Sequence, residues 1–189
     1  MSRFSEELVR LAKHELAQYG HLLANQSPLS ERILAYWQFL GPEPPFFAWS
    51  AAFISYMVQL AGAGDTFRYS CRHSEYVHRA INAHLSKEKS AFLGFRPEEL
   101  SIEPGDIVGM NRSDAAEIDY DWAAQHDHYK SHCDIVVRVS PDEFTTIGGN
   151  VGASPGTVGT KTWVWRKAAL VNAVKPTQRV FVVIRSTLR

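Results

Sequence analysis

The stretch of sequence that decides the fold is SAAFISYMVQL, residues 50–60. A helix formed by this stretch would carry apolar side chains on nearly every side, and such helices are typically buried in the middle of a domain. Ser50 is a favourable residue at which to begin a helix, and Gly62 and Gly64 favour its end. The stretch therefore predicts a buried central helix that has Ser50 at or next to its first residue.

Amphipathic patterns on both sides of this stretch predict three further helices. Apolar residues recur at the helical period over about residues 5–24, 31–40 and 73–85, with charged residues between them. Residues 41–45 read GPEPP, and their prolines exclude a helix there. The helical part of the chain is therefore predicted to cover about residues 1–90.

After about residue 100 the pattern becomes typical of β-strands. The segments rich in β-branched and aromatic residues are 104–110, 132–139, 143–149, 160–166 and 180–185. Residues 140–142, with the sequence SPD, indicate a hairpin between the second and third of these. Helices followed by strands predict an α+β fold with an antiparallel sheet, in a single domain of residues 1–189 whose sheet part covers about 100–189.

Composition excludes several classes of protein. Lys and Arg together number 20, as do Asp and Glu, so the chain lacks the basic excess that is typical of nucleic-acid binders. Two cysteines are too few for a disulfide scaffold, and we expect both to be reduced thiols. No stretch has the pattern of a signal peptide or of a membrane span, so membrane insertion is not expected. We expect synthesis in the cytoplasm, and export by a signal-independent secretion system stays open.

Three residues have the types and the order that hydrolysis of an amide bond requires. A hydrolase needs a nucleophile, a base, a group that orients the base, and donors for the oxyanion. Ser50 lies at a predicted helix N-terminus, where backbone N–H groups are free to stabilise an oxyanion. His132 opens a predicted strand, and Asn150 follows the next one after Gly148 and Gly149. An amide carbonyl at Asn150 is suited to hold a histidine tautomer.

The motifs around these residues carry a resemblance to known domains. WSAAFIS at 49–55, PGDIV at 104–108, HCDIV at 132–136 and GGN at 148–150 resemble, in this order, the CHAP and NlpC group of papain-like domains. Cell-wall amidases and endopeptidases of bacteria and bacteriophages belong to that group. Within it, the chain is similar over about residues 33–165 to domain-of-unknown-function family 2272. That family shows a similar YW…G…PWSAAFIS pattern, which is matched here by Tyr36, Trp37, Gly41 and residues 49–55.

The resemblance implies a papain-like fold with Ser50 as nucleophile, His132 as base and Asn150 as the orienting residue. Most catalytic members of the wider group have Cys at the position of Ser50. A thiol ionises readily beside an imidazole, whereas a serine hydroxyl must lose its proton to the base during attack. The implied function is that of a peptidoglycan amidase or endopeptidase acting on peptidoglycan or a peptide, and no cofactor is expected.

Less specific interpretations of the same residues remain open. Ser50 could serve only as a helix N-cap, His132 as a histidine at the end of a strand, and Asn150 as a turn residue. The alternative functions are a catalytically inactive papain-like binding module, or a secreted effector or interaction protein. In the latter, a protein partner would bind the polar loop 111–131, because long ordered loops are often functional.

Other residues are weaker candidates. The residues expected to line the cleft are Trp49, His73, Trp122 and His128. Cys71 could be a thiol activated beside His73, whereas Cys133 alternates to the strand face opposite His132 and is predicted to lie in the core. Residue types that bind metals occur at Asp119, Asp121, His126, Asp127 and His128. Their spacing fits no tight metal signature, so a solvated loop is expected there.

Overall fold

The structure is a computed structural model that describes residues 1–41, 48–112, 118–166 and 169–189. In these ranges the helices are α1 (Arg3–Tyr19), α2 (Leu29–Leu40), α3 (Ser50–Leu60), α4 (His73–Leu85) and α5 (Tyr120–Gln125), with a short 3₁₀ turn at Gly64–Thr66. The strands are β1 (Phe92–Phe95), β2 (Ile107–Asn111), β3 (Ser131–Val139), β4 (Glu143–Val151), β5 (Thr157–Arg166), β6 (Ala169–Asn172) and β7 (Val180–Ser186).

The strands form one sheet in the order β1-β7-β2-β3-β4-β5-β6, and each neighbouring pair is antiparallel. Strands β3 and β4 are joined directly through residues 140–142, so the predicted hairpin is confirmed. Helices precede most of the sheet along the chain. The predicted α+β class with an antiparallel sheet is therefore confirmed.

Helix α3 is the central helix that the sequence predicts. It begins at Ser50 and packs against α1 and α2 on one side and against β3 and β4 on the other. Eight of its residues are buried, including all of 50–55. Because most of the helix surface is covered by other elements, and only Leu60 at its end is exposed, the helix needs no polar stripe.

Two hydrophobic clusters cover the two faces of the sheet. The larger cluster lies between helices and sheet and includes Phe53 of α3, Tyr76 of α4 and Cys133 of β3. The smaller cluster consists of strand residues alone, among them Val136 and Trp163. Side chains alternate between the faces of a strand, so β3 contributes to both clusters. The larger cluster is therefore a core that the helices and the sheet share.

Some boundaries differ from the sequence prediction. Helix α1 begins at Arg3 rather than residue 5, because the Ser2 hydroxyl accepts a hydrogen bond from the backbone N–H of Ser5, and it ends at Tyr19 rather than residue 24. Strands β1 and β6 and helix α5 were not predicted. Each has only four to six residues, which is too short to establish a period.

Two predicted segments lie partly outside the described residues. Of the proline-rich segment 41–45, only Gly41 is described, and the loop 111–131 is described except for residues 113–117. The latter contains the end of β2, helix α5 and the first residue of β3. A role for it in binding a partner stays a prediction. Over the described ranges, no helix combines the length and apolar character needed to cross a bilayer.

Candidate active site

Ser50 directs its hydroxyl towards a histidine rather than towards its own helix. The N-cap residue of α3 is Trp49, and no side chain caps the helix by a hydrogen bond. The Ser50 Oγ lies 2.7 Å from Nε2 of His73, and only 6% of Ser50 is exposed. The interpretation of Ser50 as merely an N-cap is therefore wrong.

His73 is the first residue of α4, and its imidazole is held from both sides. Its Nε2 is bonded to Ser50, and its Nδ1 is bonded to the hydroxyl of Tyr76, three residues later on the same helix. Residues three apart lie on the same helix face, which brings the two rings together. His73 is 7% exposed. Burial lowers the pKa of His73 well below its ordinary value, and the nearby His132 lowers it further.

A consistent set of donors links Ser50, His73 and Tyr76. A neutral imidazole has one N–H and one acceptor nitrogen. If the Ser50 hydroxyl donates to Nε2, then Nδ1–H donates to the Tyr76 oxygen, and the Tyr76 hydroxyl hydrogen is free for the buried Cys133 beside it. In this arrangement Nε2 is the nitrogen that can take the serine proton.

His132, which the sequence predicts as the base, has a different partner. Its Nε2 lies 2.9 Å from Oδ1 of Asp134, two residues along β3. The carboxylate of Asp134 is fully buried, and Nζ of Lys161 lies 2.8 Å from its Oδ2. The hydroxyl of Thr146 donates to the same Oδ2 over 3.0 Å. Burial alone would raise the pKa of Asp134, but the positive charges around it hold that pKa well below its usual range.

The two histidines are neighbours. The ring centroids of His73 and His132 are 5.2 Å apart and their planes are inclined by 51°. Burial lowers the pKa of His132 as well, and the charge of Lys161 adds to this effect. The site therefore contains one hydroxyl and two imidazoles, each imidazole with its own orienting partner.

Gly148 and Gly149 make this assembly possible. A Cβ added at Gly148 would overlap the carboxylate of Asp134 and lie 3.3 Å from Nε2 of His132. A Cβ added at Gly149 would lie 2.6 Å from the Trp49 ring, which bounds the start of α3. The first glycine gives space to the Asp134 network, and the second allows α3 to approach the sheet.

Asn150 does not orient His132 in this structure. It adopts the left-handed conformation with φ of 58°, and its side-chain oxygen faces the backbone at Gly156. The group that meets Nε2 of His132 is Asp134. The predicted convergence of Ser50, His132 and Asn150 is thus replaced by Ser50, His73 and His132. The alternation His132-Cys133-Asp134, which places the first and third side chains on one face, is the signal that sequence reasoning missed.

The residues predicted to line a cleft have different environments. Trp49 is buried and stacks on Tyr36, and its Nε1 has no hydrogen-bond partner within the described chain. Trp122 is 38% exposed and stacks on His126. His128 is exposed, and its Nδ1 lies 3.3 Å from Oδ1 of Asp127. Of these four residues, His73 is the one whose side chain is hydrogen-bonded to Ser50.

The Asp and His residues that the sequence analysis considered as metal ligands have other partners. Asp119 caps α5, and Asp121 forms an ion pair with Arg96. In the part of the chain that is described, no group of three or more His, Cys, Asp or Glu residues could hold a metal ion. Cys71 and Cys133 are free thiols, and Cys133 is buried as predicted. Burial raises the pKa of the Cys133 thiol, which makes it an inert core residue.

Comparison with known proteins gives one match. The family model described as "Uncharacterized protein conserved in bacteria (DUF2272)" matches residues 33–162. No curated protein and no solved structure matches the chain. The matched range includes every residue of the site described above, from Ser50 to Lys161.

Proposed function

Because the chain belongs to the DUF2272 family, whose description names no reaction, we propose its function from the chemistry of the site: it is a hydrolase of amide bonds that forms an acyl-enzyme on Ser50. The observation that carries this proposal is the 2.7 Å hydrogen bond between Ser50 Oγ and His73 Nε2 at the N-terminus of a buried helix. A hydroxyl is a weak nucleophile until an adjacent base takes its proton, and His73 is in place to do so.

Two further features of the site support the proposal. Tyr76 holds His73 with Nε2 turned towards Ser50, which is the task of the third residue in a catalytic triad. The first backbone N–H groups of α3 have no partner within their helix, and with the helix dipole they can stabilise an oxyanion formed next to Ser50. In this proposal His73 takes the role that the sequence assigned to His132.

The substrate class in this proposal comes from the resemblance to CHAP and NlpC domains. We propose a papain-like relationship, which is supported by a nucleophile at the first residue of a buried helix that packs on an antiparallel sheet. Peptidoglycan, or a peptide, is then the substrate, and the acyl group is transferred to Ser50 from an amide.

Digestion of purified peptidoglycan tests the proposal. Wild type is expected to release fragments that are identified by mass spectrometry, and Ser50→Ala is expected to release none. Ser55→Ala is the matched control, because Ser55 is a second buried serine of α3 whose hydroxyl bonds the backbone at Ser70 instead of His73. Equal product yields from wild type and Ser50→Ala would overturn the proposal.

One observation favours the second candidate function, a catalytically inactive binding module. Ser50 and His73 are both more than nine-tenths buried, and the lowered pKa of His73 makes it a weak base. Wild type of this kind would bind peptidoglycan without cleaving it. Ser50→Cys would then cleave where wild type does not, because a thiol needs less help from the base.

A further inference from the structure

We infer that His132 is a second base of this site, and that its Nδ1 activates the water that releases the acyl group from Ser50. This inference rests on the proposed function, because the water needs an acyl-enzyme to attack. It divides the reaction between two imidazoles: His73 forms the acyl-enzyme and His132 hydrolyses it.

The hydrogen of the neutral His132 imidazole is on Nε2. An ionised carboxylate only accepts hydrogen bonds, so the contact between Nε2 and Asp134 requires a hydrogen on Nε2. Lys161 and Thr146 both donate to the same carboxylate and keep it ionised and fixed. The neutral imidazole of His132 is therefore held with a lone pair on Nδ1. Within the described chain, no residue forms a hydrogen bond with that nitrogen.

His132 is more accessible to water than His73 is. The side chain of His132 is 13% exposed, whereas Nε2 and Nδ1 of His73 are both occupied, by Ser50 and Tyr76. Water can reach His132 without breaking a bond of the His73 network. The ring centroids of His132 and of His73, which is bonded to Ser50, are 5.2 Å apart, so in this proposal a water on Nδ1 attacks the acyl group from beside His73.

His132 is bonded to a buried charge network. Asp134 is fully buried, and the Lys161 side chain that pairs with it is only 12% exposed. Removing such charges from water is costly, and buried ion pairs are often no more stabilising than apolar residues of the same volume. The presence of these buried charges is explained if they fix the tautomer of His132. A buried Asp fixes the histidine tautomer of a serine protease in the same way.

Hydrolysis of the acyl group begins at His132. Nδ1 of His132 takes one proton from water while the water oxygen bonds to the acyl carbon and the carbonyl electron pair moves onto oxygen. When the tetrahedral intermediate collapses, the bond between the acyl carbon and Ser50 Oγ breaks. The proton on His132 passes to Oγ. The products are the free carboxylic acid and Ser50 with its hydroxyl restored.

Nitrogen NMR of the histidine rings tests the tautomer in the wild-type protein. At about pH 8, where unperturbed imidazoles are neutral, His132 is expected to carry its hydrogen on Nε2 and His73 on Nδ1. The His132→Gln spectrum identifies the signals. A hydrogen on Nδ1 of His132 would overturn the inference, and this result does not depend on any substrate.

Burst kinetics with p-nitrophenyl acetate test the division of the reaction. For His132→Gln we expect a burst of nitrophenol release close to that of wild type, followed by turnover that is about 100-fold slower, which is typical of losing a general base. Mass spectrometry should then show one acetyl group on Ser50. For His73→Gln we expect no burst. His14→Gln, at an exposed histidine of α1, is the matched control and should behave as wild type.

The outcomes separate the two proposals. If His132→Gln slows the burst and the turnover equally, His132 has no separate role, and the inference fails while the acyl-enzyme on Ser50 stands. If no protein forms an acetyl adduct on Ser50, the proposed function fails and the inference fails with it.

Discussion

The hydroxyl of Tyr76 is hydrogen-bonded to Nδ1 of His73 in the interior of the protein. Tyr76 follows His73 by about one turn of the same helix. Both residues are buried, and the Ser50 hydroxyl occupies the opposite nitrogen of the ring. The orientation of the imidazole is therefore set by a tyrosine, where many serine hydrolases use a carboxylate. A tyrosine adds no negative charge, so burial can keep His73 neutral without an ion pair beside it.

Tyr76→Phe is expected to slow acylation of Ser50 by about 10- to 100-fold, because the imidazole loses the group that fixes its tautomer. The variant also leaves Nδ1–H of His73 buried without a partner, at a cost of about 1–3 kcal/mol in the free energy of unfolding. Stopped-flow kinetics with an active ester and urea denaturation measure the two effects.

Tyr129→Phe is the matched control for this variant. The Tyr129 hydroxyl is buried but has no hydrogen-bond partner in the described residues, so its removal should change neither acylation nor stability by much. Acylation by Tyr76→Phe at the wild-type rate would contradict the role assigned to Tyr76.

Much of the fold could be predicted from sequence because its determinants are local. The largely apolar stretch from Ser50 to Leu60 is favourably placed between the other helices and the sheet. Strands β3 and β4 each carry three consecutive β-branched residues, at 135–137 and 145–147. Strands β1 and β6 depend instead on partners distant in the chain, so their four residues carry no period of their own.

The site was predictable only in part, because contacts between distant elements decide its details. The position of Ser50 follows from its helix, and its own motif points to it. Its partner His73 lies 23 residues later in the chain, on α4. The pair can be recognised only once the positions of α3 and α4 relative to each other are known. Asn150 had the expected residue type, but the left-handed turn directs its side chain away from His132. Residue type alone could not distinguish it from Asp134.

Ser50→Cys is expected to retain or increase activity, because the helix N-terminus and the adjacent imidazole favour ionisation of a thiol. Ser50→Ala should abolish activity and should cost about 1–3 kcal/mol of stability, since it leaves Nε2 of His73 buried without its partner. Peptidoglycan digestion and urea denaturation of the three proteins provide the measurements. Equal activity of wild type and Ser50→Ala would mean that Ser50 has no chemical role.

Lys161→Met should destabilise the fold by about 3–5 kcal/mol, because it leaves the buried carboxylate of Asp134 without its main neutralising charge. Lys89→Met is the control, since Lys89 is exposed and its replacement should change the stability by less than about 0.5 kcal/mol. Chemical denaturation compares the two. Equal stabilities of the two variants would show that Lys161 does not support Asp134.

The stability of the protein should fall as the pH drops below about 6.5, the ordinary pKa of histidine. Folding lowers the pKa of both His73 and His132, mainly through burial, so the unfolded chain binds more protons than the folded one in this range. Each of these histidines can contribute a slope of up to about 1.4 kcal/mol per pH unit.

Urea denaturation at about pH 7.5 and about pH 5.5 measures this dependence, which follows from the difference in bound protons. His73→Gln removes one of the two buried imidazoles and should lose less stability over the same interval than wild type does. An equal loss in both proteins would show that His73 does not contribute to the acid sensitivity.

The central claim is that Ser50 is a nucleophile activated by His73. Its most direct measurement is mass spectrometry of the intact protein after incubation with a fluorophosphonate, which reacts with activated serines and needs no knowledge of the natural substrate. The expected result is one adduct per chain that peptide mapping places on Ser50, formed at least about 100-fold more slowly in His73→Gln, as the loss of a general base requires. An unlabelled wild-type protein, or labelling of Ser50 at the same rate in His73→Gln, would contradict the claim.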